Sequence, residues 1–356
     1  MAELLELTEP TAAFAHIEDW LGARGFFAGR DELVADLCLG YGLSQAIRRR
    51  SVPAPPEPCA ALPVAACRVG RAAAPRRSDD FEIGAWEQTW TAAEYGAAVD
   101  DVRAAIARGD VYQVNVVQHL QAPFVGDAYE LARRLAPLRP LQPAPFVTET
   151  WSVVSASPEL FLSRRGDLLR TMPIKGTRPR GDAAELRDSE KDAAEHVMIV
   201  DLERNDLSRV CEPGSIRWPE LMETHPLAGV EHMVSTVEGT LRPDMGLAEI
   251  LDATFPGGSV TGAPKIAAVD LIAELEPVGR GASMGALGVI RGNGDFELAL
   301  TIRTFAITEG RIHLWVGGGI VWDSDPAAEV EESWTKARPL LEAIGARQAT
   351  VAGTPR

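Results

Sequence analysis

The chain has 356 residues, 46% of them hydrophobic and 24% charged, with a net charge of -16. That balance suits a globular protein with one large core or two intimate domains, and it argues against a nucleic-acid-binding surface. No apolar run reaches the roughly 18 residues that a membrane span needs, and no basic start followed by an apolar run marks a secretory signal. Cys38, Cys59, Cys67 and Cys211 have neither metal-ligand spacing nor the density of a disulfide framework. They read as free thiols in a reducing compartment, which predicts a cytoplasmic protein.

In chain order, residues 11–21 predict a short helix and 31–38 a strand or helix end. Residues 51–77 carry Pro53, Pro55, Pro56, Pro58 and Pro63, too many for a helix, and read as edge strands or a connector. Residues 91–107 predict a helix. Thr91 caps it, Glu94 sits three residues on, and Tyr95, Val99, Val102 and Ile106 share one face. A strand is expected over 111–120 and a helix over 128–138, closed by Pro137 and Pro140. Strands are expected at 151–155, 160–163 and 167–172, the last delivering a loop, 173–181, with two Gly and two Pro. Residues 189–202 predict a helix with an acidic first turn. Helices at 248–254 and 263–275 flank a glycine-rich loop. Strands at 286–292, 297–305 and 311–317 follow, with turns at Asn293-Gly294 and Glu309-Gly310. Residues 326–344 form the last helix, and 347–356 a tail. Helices and antiparallel strands cluster instead of alternating, which predicts an α+β fold. The expected division is a short N-terminal region, 1–85, a catalytic domain, 86–346, and the tail.

Only four of the 35 basic residues are lysines: Lys175, Lys191, Lys265 and Lys336. Each falls in a glycine- or acid-rich motif. Lysine can shed its proton and act as a nucleophile, whereas arginine stays charged. Lys175, at the mouth of a strand, is expected to be partly desolvated, with a depressed pKa. Asp192 and Glu195 share one helix face, as do Glu329, Glu332 and Lys336. Carboxylates from two such helices can hold one Mg²⁺ through oxygen, or they can be solvated faces. Gly176, Gly181, Gly257, Gly258, Gly262, Gly317, Gly318 and Gly319 offer backbone N–H groups to an anion or mark tight turns. None of them matches a nucleotide-binding loop. Arg303, in an apolar strand, needs an anionic partner, either a ligand carboxylate or a structural Asp. His232 is either an acid–base group or a satisfied core histidine.

Several motifs together resemble the chorismate-utilising enzymes: GDVYQVN (109–115), SASPELF (155–161), MPIKGTRPRG (172–181), the run from Lys191 to Val210, HMVSTVEG (232–239), TFPGGSVTGAPK (254–265), TIRTF (301–305) and the run from Gly317 to Lys336. The resemblance covers residues 91–344. It implies two stacked antiparallel sheets flanked by helices, and Mg²⁺-dependent chemistry on chorismate. Water-using members carry a lysine where this chain has Gln113, which argues against them. PIKGT, in place of the PIAGT of anthranilate synthases, resembles component I of the aminodeoxychorismate synthases.

Lys175 then matches the covalent nucleophile, and Glu159 matches the acid beside the departing C4 hydroxyl. Glu195 and Glu332 match the Mg²⁺ ligands, with Asp192 and Glu329 as outer or water-mediated partners. Gln113, Gly176, Thr177, Thr261, Gly262, Arg303, Gly317, Gly318 and Lys336 match positions around the substrate, Thr177 on the catalytic loop. His232 matches a histidine near the reacting ring. The implied product is 4-amino-4-deoxychorismate, with ammonia from a glutamine amidotransferase partner, since no glutaminase cysteine turn is present. The alternatives are anthranilate synthase component I and a catalytically inactive binding or regulatory homologue. The chain departs from the family at Ser283, where RGASMG replaces a tyrosine-containing segment, and in its short N-terminal region, where no tryptophan-pocket segment is visible.

Overall fold

The computed structural model describes residues 2–70, 80–179, 181–227 and 230–345. The expected tail lies outside them. Two antiparallel sheets carry the fold. One has ten strands and includes Glu3–Leu7, Ala65–Val69 and Val34–Leu39 at one end and Val230–Thr240 and Ile174–Pro179 at the other. The other has eight strands and is built around Gln113–Gly126 and Arg311–Ile320, paired from Arg311↔Pro123 to Ile320↔Val114. This is the expected α+β arrangement.

Side-chain alternation along Arg311–Ile320 separates two cores. Ile312, Leu314 and Val316 face helices Ala128–Leu135 and Pro326–Ala343. Trp315, on the opposite face, joins a larger cluster that draws Leu37, Leu39 and Leu298 from the ten-stranded sheet. The helix Ala92–Ala107 starts as its sequence demands. The Thr91 hydroxyl accepts the Glu94 N–H, and the Glu94 carboxylate accepts the Thr91 N–H at 2.6 Å.

Three expectations are corrected. Most of the segment expected as a loop over 173–181 is a strand, Ile174–Pro179, paired from Ile174↔Val234 to Pro179↔Val230. The single strand expected at 297–305 is two, Phe296–Leu300 and Thr304–Thr308, and Arg303 stands in the break at φ 50°. The helix expected to stop at 202 continues, as Glu190–Ser208. The hairpin strands Arg217–Leu227 and Val230–Thr240 were not anticipated at all.

Among the buried polar groups is a histidine pair, His119 and His313, stacked beside Trp315 with Nε2 of the first 3.0 Å from Nδ1 of the second. Burial holds His119 down to about 3 and His313 to about 4. Both are neutral in the folded chain, while the unfolded chain takes up protons near pH 6.5. Their contribution to stability is therefore complete above about pH 6.5 and is lost as pH falls, through about 4 for His313 and about 3 for His119. Urea unfolding at stepped pH should show this loss, and a His119→Gln/His313→Gln double variant should flatten the dependence. An equally steep slope in the double variant would refute the assignment.

Candidate active site

The site lies where the end of the ten-stranded sheet, the start of Gln113–Gly126 and the helix Glu190–Ser208 meet. Lys175 projects from Ile174–Pro179, and its Nζ lies 3.1 Å from Glu195 Oε1. Gln113, buried on the other sheet, donates Nε2–H to the same oxygen at 2.8 Å. The two side chains of the ion pair are only 11% and 17% exposed. Burial works against the charge on Lys175, but Glu195, Glu159 and Glu332 outweigh it and hold the ammonium above the ordinary lysine value. The expected depressed pKa is therefore reversed in the free protein, because three carboxylates surround the amine. Glu195 shows the converse: burial pushes it up, and Lys175 and Lys336 more than offset that, keeping it ionised.

Glu159 is fully enclosed. It accepts the Ile174 N–H at 3.4 Å, and desolvation raises its pKa despite the Ser259 hydroxyl, Lys175 and Arg303 nearby. Such a shift biases the carboxyl toward its protonated form, from which it can donate a proton. Arg303 has no side-chain hydrogen bond or ion pair among the described residues; Glu159 is the one anion acting on it. Its left-handed backbone is uncommon for a non-glycine residue. Of the two partners expected for it, no structural Asp pairs with it among the described residues; the nearby protein anion is Glu159. His232 is buried with Nδ1 3.4 Å from the Gly176 carbonyl, and burial and Arg303 hold it down to about 4, so it acts as a neutral imidazole.

The Gly317–Gly319 segment forms the opposite wall. A Cβ on Gly319 would stand 1.9 Å from Gln113 Nε2 and 2.9 Å from Glu195 Oε1. One on Gly318 would stand 3.2 Å from Glu329 Oε2, 3.4 Å from Glu332 Oε1 and 3.5 Å from Lys336 Nζ. Glycine is required there because polar groups from two helices and a strand crowd the backbone. Lys336 donates to the Gly317 carbonyl at 2.8 Å and pairs with Glu332 at 2.8 Å. Glu329 is buried and accepts the Ser324 hydroxyl at 2.7 Å.

Glu195, Glu329 and Glu332 thus converge on one stretch of backbone. Their donors are all oxygen, which fits a hard divalent ion that keeps waters. Among the described residues, no three acidic, histidine or cysteine side chains form a ready-made cage. Asp192 is turned to Arg178, 2.7 Å away, beside Gly176.

Thr261 is buried, and its hydroxyl is spent on the Gly257 carbonyl at 2.9 Å. Gly262 has φ 146°, and a Cβ there would lie 2.1 Å from the Gln113 carbonyl oxygen. The side chains of Thr177 and Lys191 lie outside the described residues. Lys265 is not in the cleft: it bonds Asp206 and the Thr254 carbonyl beneath it. Sequence reading missed Ser259, whose carbonyl oxygen is 3.4 Å from Lys175 Nζ. Its one signal was its place between the paired glycines and Thr261.

Residues 46–342 match the family model of the chorismate binding enzymes, and the chain belongs to that family. It is 41% identical over 269 residues to aminodeoxychorismate synthase component 1 of Klebsiella aerogenes, covering 73% of this chain and 60% of that protein. It is 40% identical over 295 residues to anthranilate synthase component 1 of Streptomyces coelicolor, covering 79% of this chain and 57% of that protein. The chain therefore spans about three-fifths of the length of these curated relatives. Among solved structures, anthranilate synthase component I from Streptococcus pneumoniae TIGR4 superposes with a TM-score of 0.77 at 27% identity, covering 86% of this chain and 80% of that one.

The reversed Lys175 pKa has a direct test. Glu195→Gln removes the largest opposing charge, so Lys175 should ionise less readily and present more free amine at a given pH. Acylation of the Lys175 peptide at pH 8, followed by mass spectrometry, should be several-fold faster in Glu195→Gln than in the wild type. An unchanged or slower rate would contradict the account.

Proposed function

We propose that the chain aminates chorismate with ammonia, and that Lys175 serves as a covalent nucleophile on the way to 4-amino-4-deoxychorismate. The observation that carries this reading is a buried lysine enclosed by carboxylates, one of which, Glu159, is biased toward its protonated form. Lys175 must first shed the proton that its neighbours stabilise. The free amine then attacks C2 of the ring, both double bonds of the conjugated diene shift by one position, and the C4–O bond breaks. Glu159 gives its proton to the departing hydroxyl, which leaves as water. Ammonia next attacks C4, both double bonds shift back, and the C2–N bond to Lys175 breaks. One ammonia is consumed and one water released.

Arg303, Lys336 and the glycine backbone would take the substrate carboxylates. Glu195 and Glu332 would hold a Mg²⁺, with Glu329 and Asp192 as outer partners, and the ion would supply positive charge opposite a substrate carboxylate. His232, neutral, would position the ring. A glutamine amidotransferase would supply the ammonia in the cell.

A second reading, anthranilate synthase component I, is favoured by the Streptomyces coelicolor relative and the Streptococcus pneumoniae structure. Identities of 41% and 40% to the two kinds of relative do not separate them. Purified chain with chorismate, Mg²⁺ and ammonium salt decides the point. Aminodeoxychorismate supports the first reading, anthranilate with pyruvate the second, and no turnover refutes both.

Lys175→Ala should lose at least about 100-fold in turnover, and Lys175→Arg should fare no better, because guanidinium does not deprotonate to attack. Wild-type enzyme quenched during turnover without ammonia should carry an adduct on the Lys175 peptide. An active Lys175→Arg with no adduct would remove the covalent step and leave chorismate amination standing. For the metal, Glu332→Gln should abolish turnover while leaving thermal unfolding within a few degrees of wild type. A fully active Glu332→Gln enzyme would exclude that residue as a ligand.

A further inference from the structure

We infer that Thr304, Ser155 and Ser157 are positioning residues: their hydroxyls form one directed chain of hydrogen bonds that fixes Arg303 relative to Glu159. The inference rests on the functional reading above, in which Arg303 takes a substrate carboxylate and Glu159 protonates the departing hydroxyl.

The chain begins at the acid. The Glu159 N–H donates to the Ser157 hydroxyl oxygen at 3.3 Å, and the Ser157 N–H donates to the Ser155 hydroxyl oxygen at 3.2 Å. Ser155 and Thr304 stand opposite each other where the strands Trp151–Ser155 and Thr304–Thr308 pair, with their hydroxyl oxygens 2.8 Å apart. Distance alone lets either one donate. The Thr304 hydroxyl, however, gives its single proton to the Ile302 carbonyl at 2.8 Å, so Ser155 must be the donor to Thr304. Every bond then runs one way, from the Glu159 N–H to the Ile302 carbonyl. Ser155, Ser157 and Thr304 are all buried, so no solvent stands ready to replace a lost partner.

The end point of this chain decides what it does. The Ile302 carbonyl belongs to the peptide unit that contains the Arg303 nitrogen. Holding that unit restrains rotation about the Arg303 N–Cα bond, which stands at φ 50°. The peptide unit on the other side is held as well, because the Arg303 carbonyl accepts the Ala156 N–H at 3.0 Å. Both planes that flank Arg303 are thus anchored to residues 155–157. Glu159 is anchored to the same frame, since its carbonyl accepts the Leu300 N–H at 3.0 Å. A left-handed non-glycine residue persists only where its surroundings over-determine it. Here those surroundings are the segment that carries the acid.

The test measures kcat, KM for chorismate and KM for ammonium, with Mg²⁺ present, alongside thermal unfolding. Thr304→Val keeps the side-chain shape and removes the hydroxyl. It should raise KM for chorismate about tenfold and leave KM for ammonium within about twofold. Thr304→Ser keeps the hydroxyl and should bring KM for chorismate back to within about threefold of wild type. Ser155→Ala removes the donor to Thr304 and should raise KM for chorismate in the same way. It keeps the question open to measurement if Thr304→Val folds poorly. Ser157→Ala breaks the chain at the acid and should instead lower kcat about tenfold, with KM for chorismate within about threefold.

That division between the two ends is the result that supports the inference. Hydroxyls with a merely structural role would lower the unfolding temperature and leave the kinetic constants of the folded variants near wild type, and that outcome overturns it. So does a Thr304→Ser enzyme as impaired as Thr304→Val, because the hydroxyl would then not be the cause. A wild type with no turnover removes the functional reading and this inference with it.

Discussion

Lys175 can be buried only because Glu195 is buried with it, and that one ion pair joins three parts of the fold. The lysine belongs to a strand of the ten-stranded sheet and the carboxylate to the helix Glu190–Ser208. Gln113, on the eight-stranded sheet, donates to the same oxygen. An uncompensated charge at this depth would cost several kcal/mol. The sheets and the helix must therefore meet in one register for the charge to be tolerated. The same contact sets the chemistry, because the carboxylates that make burial possible also keep the amine protonated. Whatever draws the carboxylates away from Lys175 frees its lone pair.

The glycines opposite follow from that arrangement. Gly318 and Gly319 lie against side chains from both acidic helices and from Gln113, so any Cβ would occupy the volume the polar groups need. Crowding of this kind places like charges close together, and it is stable in the free chain because Lys336 and Lys175 are interleaved with Glu332 and Glu195.

Much of this was legible in the sequence where one local rule decides the outcome. The Thr91–Glu94 capping box, the periodic face of Ala92–Ala107 and the 3- and 4-residue spacing of Glu329, Glu332 and Lys336 gave helix positions that the fold keeps. The reading failed where pairing between distant segments overrides local preference. Two prolines and two glycines make residues 173–181 look like a loop, yet the strand Val230–Thr240 supplies their hydrogen bonds. That strand was unreadable in turn, because its buried positions include Glu231, His232, Ser235, Thr236 and Glu238, which do not alternate as apolar and polar. Of these, His232 borders the site, beside the Gly176 carbonyl. The direction of the Lys175 pKa was misread for a related reason. A sequence shows that a residue sits among apolar neighbours, but not how many carboxylates converge on it from other elements.

Arg303 shows what the site gains from breaking a local rule. A continuous strand over residues 297–305 would have satisfied the apolar pattern and turned this side chain with the pleat. Instead the chain breaks after Leu300, the Arg303 backbone enters the left-handed region, and its carbonyl accepts the Ala156 N–H at 3.0 Å, two residues before Pro158 and three before Glu159. One hydrogen bond thus ties the placement of the cation to that of the acid. Conformations of this kind cost on the order of 1–3 kcal/mol and persist only where surrounding structure over-determines them. Here the determinants are the buried strand Thr304–Thr308, paired with Trp151–Ser155, on one side and the Thr301–Gly285 hydrogen bonds on the other. The two halves of the broken strand belong to different sheets, Phe296–Leu300 to the ten-stranded one and Thr304–Thr308 to the eight-stranded one. Arg303 therefore stands at the crossing from one sheet to the other.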